Sequence, residues 1–165
     1  MSGGFLVCAL CVCFGCLSNP ILPYSSSLNN VMTIKKIAAG GKINIGPFTS
    51  SKQGITEFQC RMEGPSIIPN NMTIEQYIEK AFKDDFTLAD IYSAEAKQVM
   101  TGKIAFVDVR SPVGEGKWMF KVVYSINNRE LFTIDSEYKF PSAFHAGRAC
   151  KETASAFVPA VQQLV

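Results

Sequence analysis

Six cysteines and a single histidine are the residues of this 165-residue chain whose chemistry could go beyond packing. Cys8, Cys11, Cys13 and Cys16 crowd into the first sixteen positions, and Cys8 and Cys11 have the spacing of a metal-ligand pair. A zinc site needs accessible thiolates in a closed ligand set. These four stand in an apolar stretch with no histidine or carboxylate beside them, where cysteine behaves as a small hydrophobe. Cys60 and Cys150 stand apart. In an oxidising compartment they are expected to form one disulfide. It would close a loop of about 90 residues and contribute roughly 4 kcal/mol at the upper end of the chain-entropy scale. The alternative is two buried free thiols.

His145 is the one candidate general base. A base needs a partner and a pocket. Asp135, Ser136 and Glu137 are near in sequence, but strand alternation puts Ser136 on the opposite face from the other two. His145 is therefore expected to be a surface residue at the start of a helix, and a small hydrolase built on it is the less favoured alternative. Asp84 and Asp85 are adjacent on a helix and diverge by about 100°, so they read as a solvated face rather than a convergent pair. Gly114-Glu115-Gly116 is a hairpin loop without the strand-to-helix context of a phosphate loop. Asn71-Met72-Thr73 matches a glycosylation acceptor, but helix capping by Thr73 explains it without sugar. No catalytic residue, cofactor or metal site is expected, and the protein reads as a non-enzyme.

Charge is distributed in a telling way. There are 16 basic and 14 acidic residues, mixed along the chain, and the formal net charge is +2. A nucleic-acid partner would call for a basic cluster, and Lys35-Lys36 is the sole adjacent basic pair. Yet the first charged residue is Lys35 itself, and residues 3–17 are almost wholly apolar. That run is of signal-peptide length and falls short of the roughly 20 apolar residues of a membrane span. Met1-Ser2-Gly3-Gly4 lacks the usual Lys or Arg, which a start codon further upstream would supply. The segment closes on Phe14-Gly15-Cys16, which resembles a bacterial lipobox. By that resemblance Cys16 becomes the diacylglyceryl cysteine, each buried CH₂ contributing about 0.8 kcal/mol to membrane anchoring. Ordinary signal cleavage or an uncleaved anchor is the alternative. Pro20, Pro23 and Ser25-Ser26-Ser27 favour an extended chain. The organisation expected is a signal segment over residues 1–16, a flexible tether over 17–40 and one domain over 41–165.

Within that domain, residues 42–48 alternate as a strand that Gly46-Pro47 ends, and residues 57–62 alternate as a second. Thr73 and Gln76 fit a capping box, followed by Ile74, Tyr77, Ile78, Ala81, Phe82 and Phe86 at helical spacing. A short helical turn is expected over residues 94–98. Three strands follow, over 101–110, 117–126 and 129–140, the last two joined by an Asn127-Asn128 hairpin. Trp118 and Phe120 are assigned to the sheet core. A helix over 143–165 closes the chain, kinked by Pro159. The order is ββαβββα. The fold class expected is α+β: an antiparallel sheet of about five strands with two amphipathic helices on one face.

The stretches Gly102-Lys103-Ile104, Gly116-Lys117-Trp118, Tyr138-Lys139-Phe140 and residues 149–162 resemble a family of uncharacterised bacterial envelope lipoproteins. The resemblance covers roughly residues 40–165 and implies a two-helix-on-sheet domain. It assigns no reaction, so no catalytic residue is carried over. The function it implies is an envelope lipoprotein on the periplasmic side of the outer membrane. Such a protein holds the membrane through its lipid anchor and an envelope protein through a sheet edge or hydrophobic groove. A soluble secreted or periplasmic protein is the alternative.

Overall fold

A computed structural model describes residues 18–165, so the expected signal segment and Cys16 lie outside the described residues. The chain enters through a two-residue strand, β1 (Asn19–Pro20), and then a helix, α1 (Leu28–Ala38). Both fall where a flexible tether was expected. Pro20 and Pro23 do keep the first part extended, but Asn19 and Ile21 are buried against the domain. Val31, Ile34 and Ala38 then form a helical stripe that packs on the core. Ala39 in the left-handed region, followed by Gly40 at φ +83°, ends α1.

Next come β2 (Asn44–Ile45), within the strand expected over 42–48 and ended before Gly46-Pro47 as expected, and β3 (Thr49–Ser50), a short strand beyond it that was not expected. β4 (Glu57–Cys60) and β5 (Gly64–Ile67) follow, then a 3-10 turn over Pro69–Asn71. α2 (Ile74–Leu88) begins with the capping box read from the sequence: the Gln76 amide donates to Thr73 Oγ1 at 3.4 Å, and the Thr73 amide to Gln76 Oε1 at 2.9 Å. Residues 94–98 form an isolated turn rather than a helical segment.

The three long strands are β6 (Val99–Arg110), β7 (Gly114–Ile126) and β8 (Arg129–Ser142), an antiparallel meander as the alternation predicts. Asn127 (φ +50°) and Asn128 (φ +65°) make the tight hairpin that asparagine tolerates. The C-terminal helix is two pieces, α3 (Ala146–Ser155) and α4 (Phe157–Gln162). Pro159 dictates the break, because its ring clashes with the carbonyl four residues earlier, at Ser155. The interruption therefore falls at Ala156 rather than at the proline.

The expected single sheet is two. β2, β6, β7 and β8 lie in that order, with β3 also on β6, while β1, β5 and β4 form a separate three-stranded sheet. β1 on β5, and β2 and β3 on β6, are parallel. Segments of two residues carry no periodicity, so their partners are set by tertiary packing. The α+β class stands, with strand count and order revised. Trp118, Phe120, Val122 and Tyr124 line the inner face of β7 and meet Tyr77, Ile78 and Phe82 of α2 and Phe157 of α4 in one core. Trp118 Nε1 donates to the Thr153 carbonyl at 3.0 Å, so its polar edge is satisfied inside that core.

Candidate functional site

Among the described residues, His145 and the carboxylates near it in sequence are held apart. His145 is exposed at the N-cap of α3, its ring edge-on to Phe144. Asp135 faces Lys121 at 3.4 Å, Glu137 pairs with Lys117 at 2.8 Å, and Ser136 donates to Gln163 at 3.1 Å. None of the three meets the histidine. Among the described residues no group of three or more His, Cys, Asp or Glu side chains comes together as a metal would require. Cys60 and Cys150 are brought together as a disulfide, with Cα atoms 5.6 Å apart. It ties the end of β4 to α3.

Among the concavities of the described residues, the one with the most apolar lining is a groove of about 270 Å³ under the C-terminal half of α1. Ile34, Ile37 and Ala38 of α1 form one wall; Ile43, Phe86 and Ile91 form the floor and the other. Lys42 stands at its rim, but its ammonium is tied to Asp90, donating to the carboxylate at 2.8 Å and to the backbone carbonyl at 2.6 Å. That pairing holds the Asp90 carboxyl below the usual carboxylate range. The groove therefore offers apolar contact and one neutralised charge, and no acid–base pair.

The groove exists because the N-terminal segment is fastened over α2 and α4. The Tyr77 hydroxyl donates to the Leu22 carbonyl at 2.9 Å, and Gln162 Nε2 to the Ser25 carbonyl at 2.7 Å. In return Asn30 Nδ2 donates to the Gln162 carbonyl at 2.7 Å. At the centre Tyr24 donates to Asp85 Oδ2 at 3.0 Å. Asp85 is fully buried, contrary to the solvated face expected of it, and its Oδ1 has no hydrogen-bond partner. Burial pushes its carboxyl above the usual range, opposed in part by Ser26, Tyr24 and Asn30. Burial and the neighbouring Asp85 likewise push the Tyr24 phenol up.

Sequence reading missed both features. The signal for α1 was present: a serine at Ser27, apolar residues at 31, 34 and 38, Lys35 and Lys36 in the last turn, and Gly40 beyond it. The serine run and prolines obscured it. Asp85 carried no signal, since what buries it lies some sixty residues earlier in the chain.

One edge of the larger sheet, β8, carries features that oppose strand addition. β8 carries alternate charges at Asp135, Glu137 and Lys139, a bulge at the Tyr124–Ser125 register shift, and Pro141 near its end.

No family model and no curated protein matches the sequence. Solved structures to which the chain is similar include the following two. Protein XCC0632 from Xanthomonas campestris, of the DUF330 family, has a TM-score of 0.47 at 7% identity, covering 90% of this chain and 92% of its own. A hypothetical protein from Chlamydia trachomatis, CT253, has a TM-score of 0.41 at 10% identity, covering 75% of this chain and 90% of its own.

Proposed function

We propose that the protein is a non-enzymatic envelope lipoprotein, anchored through Cys16 on the periplasmic side of the outer membrane, that binds another envelope protein. The observation that carries this reading is the union of two features in one chain. An apolar lead with no charge before Lys35 runs into a domain closed by the Cys60–Cys150 bridge. An export signal explains the first, and an oxidising compartment suits the second.

The apolar groove supplies the contact. Small-molecule sites usually enclose about 300–1,000 Å³. A groove of about 270 Å³, open along α1, suits one or two apolar side chains of a protein partner better than a cofactor.

Intact mass of the mature protein from a membrane fraction, with and without reductant and alkylation, tests the anchor. The expected N-terminus is Cys16 carrying acyl mass, with Cys60 and Cys150 alkylated only after reduction. An unmodified N-terminus elsewhere would return the protein to the soluble secreted class.

A further inference from the structure

Three loops meet at one end of the domain: the turn after β4, the loop between β6 and β7, and the segment before α3. Arg61 gathers them. Its Nε donates to the Ser111 carbonyl at 2.8 Å, Nη1 to the Phe144 carbonyl at 3.0 Å, and Nη2 to the Ala143 carbonyl at 3.0 Å and Ser142 Oγ at 3.1 Å. The guanidinium is thus committed to holding the loops. The Cys60–Cys150 bridge braces them one residue away.

This braced end displays apolar side chains to solvent. Met62 is 99% exposed, Phe144 77% and Val113 62%. Glu63, also exposed, lies on the same turn, so the end sets apolar side chains beside a carboxylate rather than beside a basic cluster.

The chain enters the domain at this same end. β1 runs parallel to β5 with Asn19 opposite Ser66 and Pro20 opposite Ile67. Ser18 therefore emerges beside the start of β5, next to the turn that carries Met62. Asn19 is itself paired and buried, so only Leu17 and Ser18 separate it from Cys16, a reach of roughly 10 Å at full extension.

We propose that this end is a membrane-contact surface: Met62, Val113 and Phe144 rest in the headgroup–acyl boundary of a phospholipid bilayer, and the domain sits flush on the membrane. The inference rests on the anchored reading above, because the anchor is what brings the end to lipid. A domain on a free 24-residue tether would leave this end unconstrained; a two-residue link holds it at the surface. Apolar side chains on braced loops then face the lipid, as the apolar face of an interfacial helix does.

The test is site-specific photo-crosslinking of the full-length chain in bacterial membranes. A photoreactive phenylalanine analogue replaces Met62, Phe144 or, as a control at the far end of the meander, Leu131, which is 50% exposed. Phospholipid adducts, identified by mass, are expected several-fold more often from positions 62 and 144 than from 131. If the protein stays in the membrane fraction but positions 62 and 144 yield no lipid adducts, or only protein adducts, the flush contact is wrong and the anchor stands. Recovery of the full chain in the soluble fraction would overturn the anchored reading, and the contact with it.

Discussion

Tyr24 and Asp85, 61 residues apart in the chain, meet in a 3.0 Å hydrogen bond that fastens the N-terminal segment over α2. The carboxyl it reaches is buried and pushed above its usual range, so the fold carries a titration built into its own fastening.

The sign of that titration follows from linkage. A carboxyl whose folded value is raised binds its proton more tightly in the folded state. Its contribution is complete below the unfolded carboxylate value and is lost as pH rises through the folded one. Asp85→Asn, which keeps an acceptor for Tyr24 and removes the charge, is expected to flatten this loss and to gain stability at neutral pH. Denaturant midpoints measured from pH 4 to 8 check it. Asp90 and Glu137 shift the opposite way, held low by Lys42 and Lys117, so their contributions fade only as pH falls below the usual carboxylate range.

Replacing both bridge cysteines, Cys60→Ser with Cys150→Ser, is expected to lower stability by up to about 4 kcal/mol. Both sulfurs belong to buried residues. Reductant alone should therefore act slowly on the folded protein and quickly once denaturant opens it, which alkylation followed by mass measurement will show.

Phe157 is the hub of the aromatic core, with ring centroids 4.8 Å from Trp118, 5.1 Å from Tyr77 and 6.0 Å from Phe58. Phe157→Ala is expected to cost about 3–5 kcal/mol, since the cavity is walled by both sheets and α2 and cannot collapse from one side. Equilibrium unfolding followed by the fluorescence of Trp118 reports it directly.

Ile37 projects from α1 beside the groove and is 77% exposed. Ile37→Lys is expected to leave stability within about 0.5 kcal/mol, as surface substitutions do. It should abolish crosslinking to an envelope protein from a photoreactive residue at Ile34. Equal crosslinking in the variant would remove the groove from the binding surface.

What could be read along the chain was whatever repeats locally. The capping box of Thr73 and Gln76, the stripe from Ile74 to Phe86 and the alternation of Trp118, Phe120, Val122 and Tyr124 each lie within one element, so periodicity and hydrogen-bond chemistry determine them. The hairpin at Asn127-Asn128 is equally local. The Cys60–Cys150 pair was legible for another reason: among the residues that follow the apolar lead, these are the two cysteines.

Tertiary structure alone decided the rest. Two-residue strands such as β1 hold no pattern of their own, and their pairing depends on which buried edge is left open once the longer elements have packed. Asp85 reads as a solvated carboxylate until Tyr24 and α1 cover it. The apolar groove and the loop-gathering role of Arg61 likewise belong to no single segment. Local sequence determined the elements, because their periodicity is a property of neighbouring residues. Where the chain crosses itself, and so what is buried and what is left open to bind, was determined by the competition among distant surfaces for the same core.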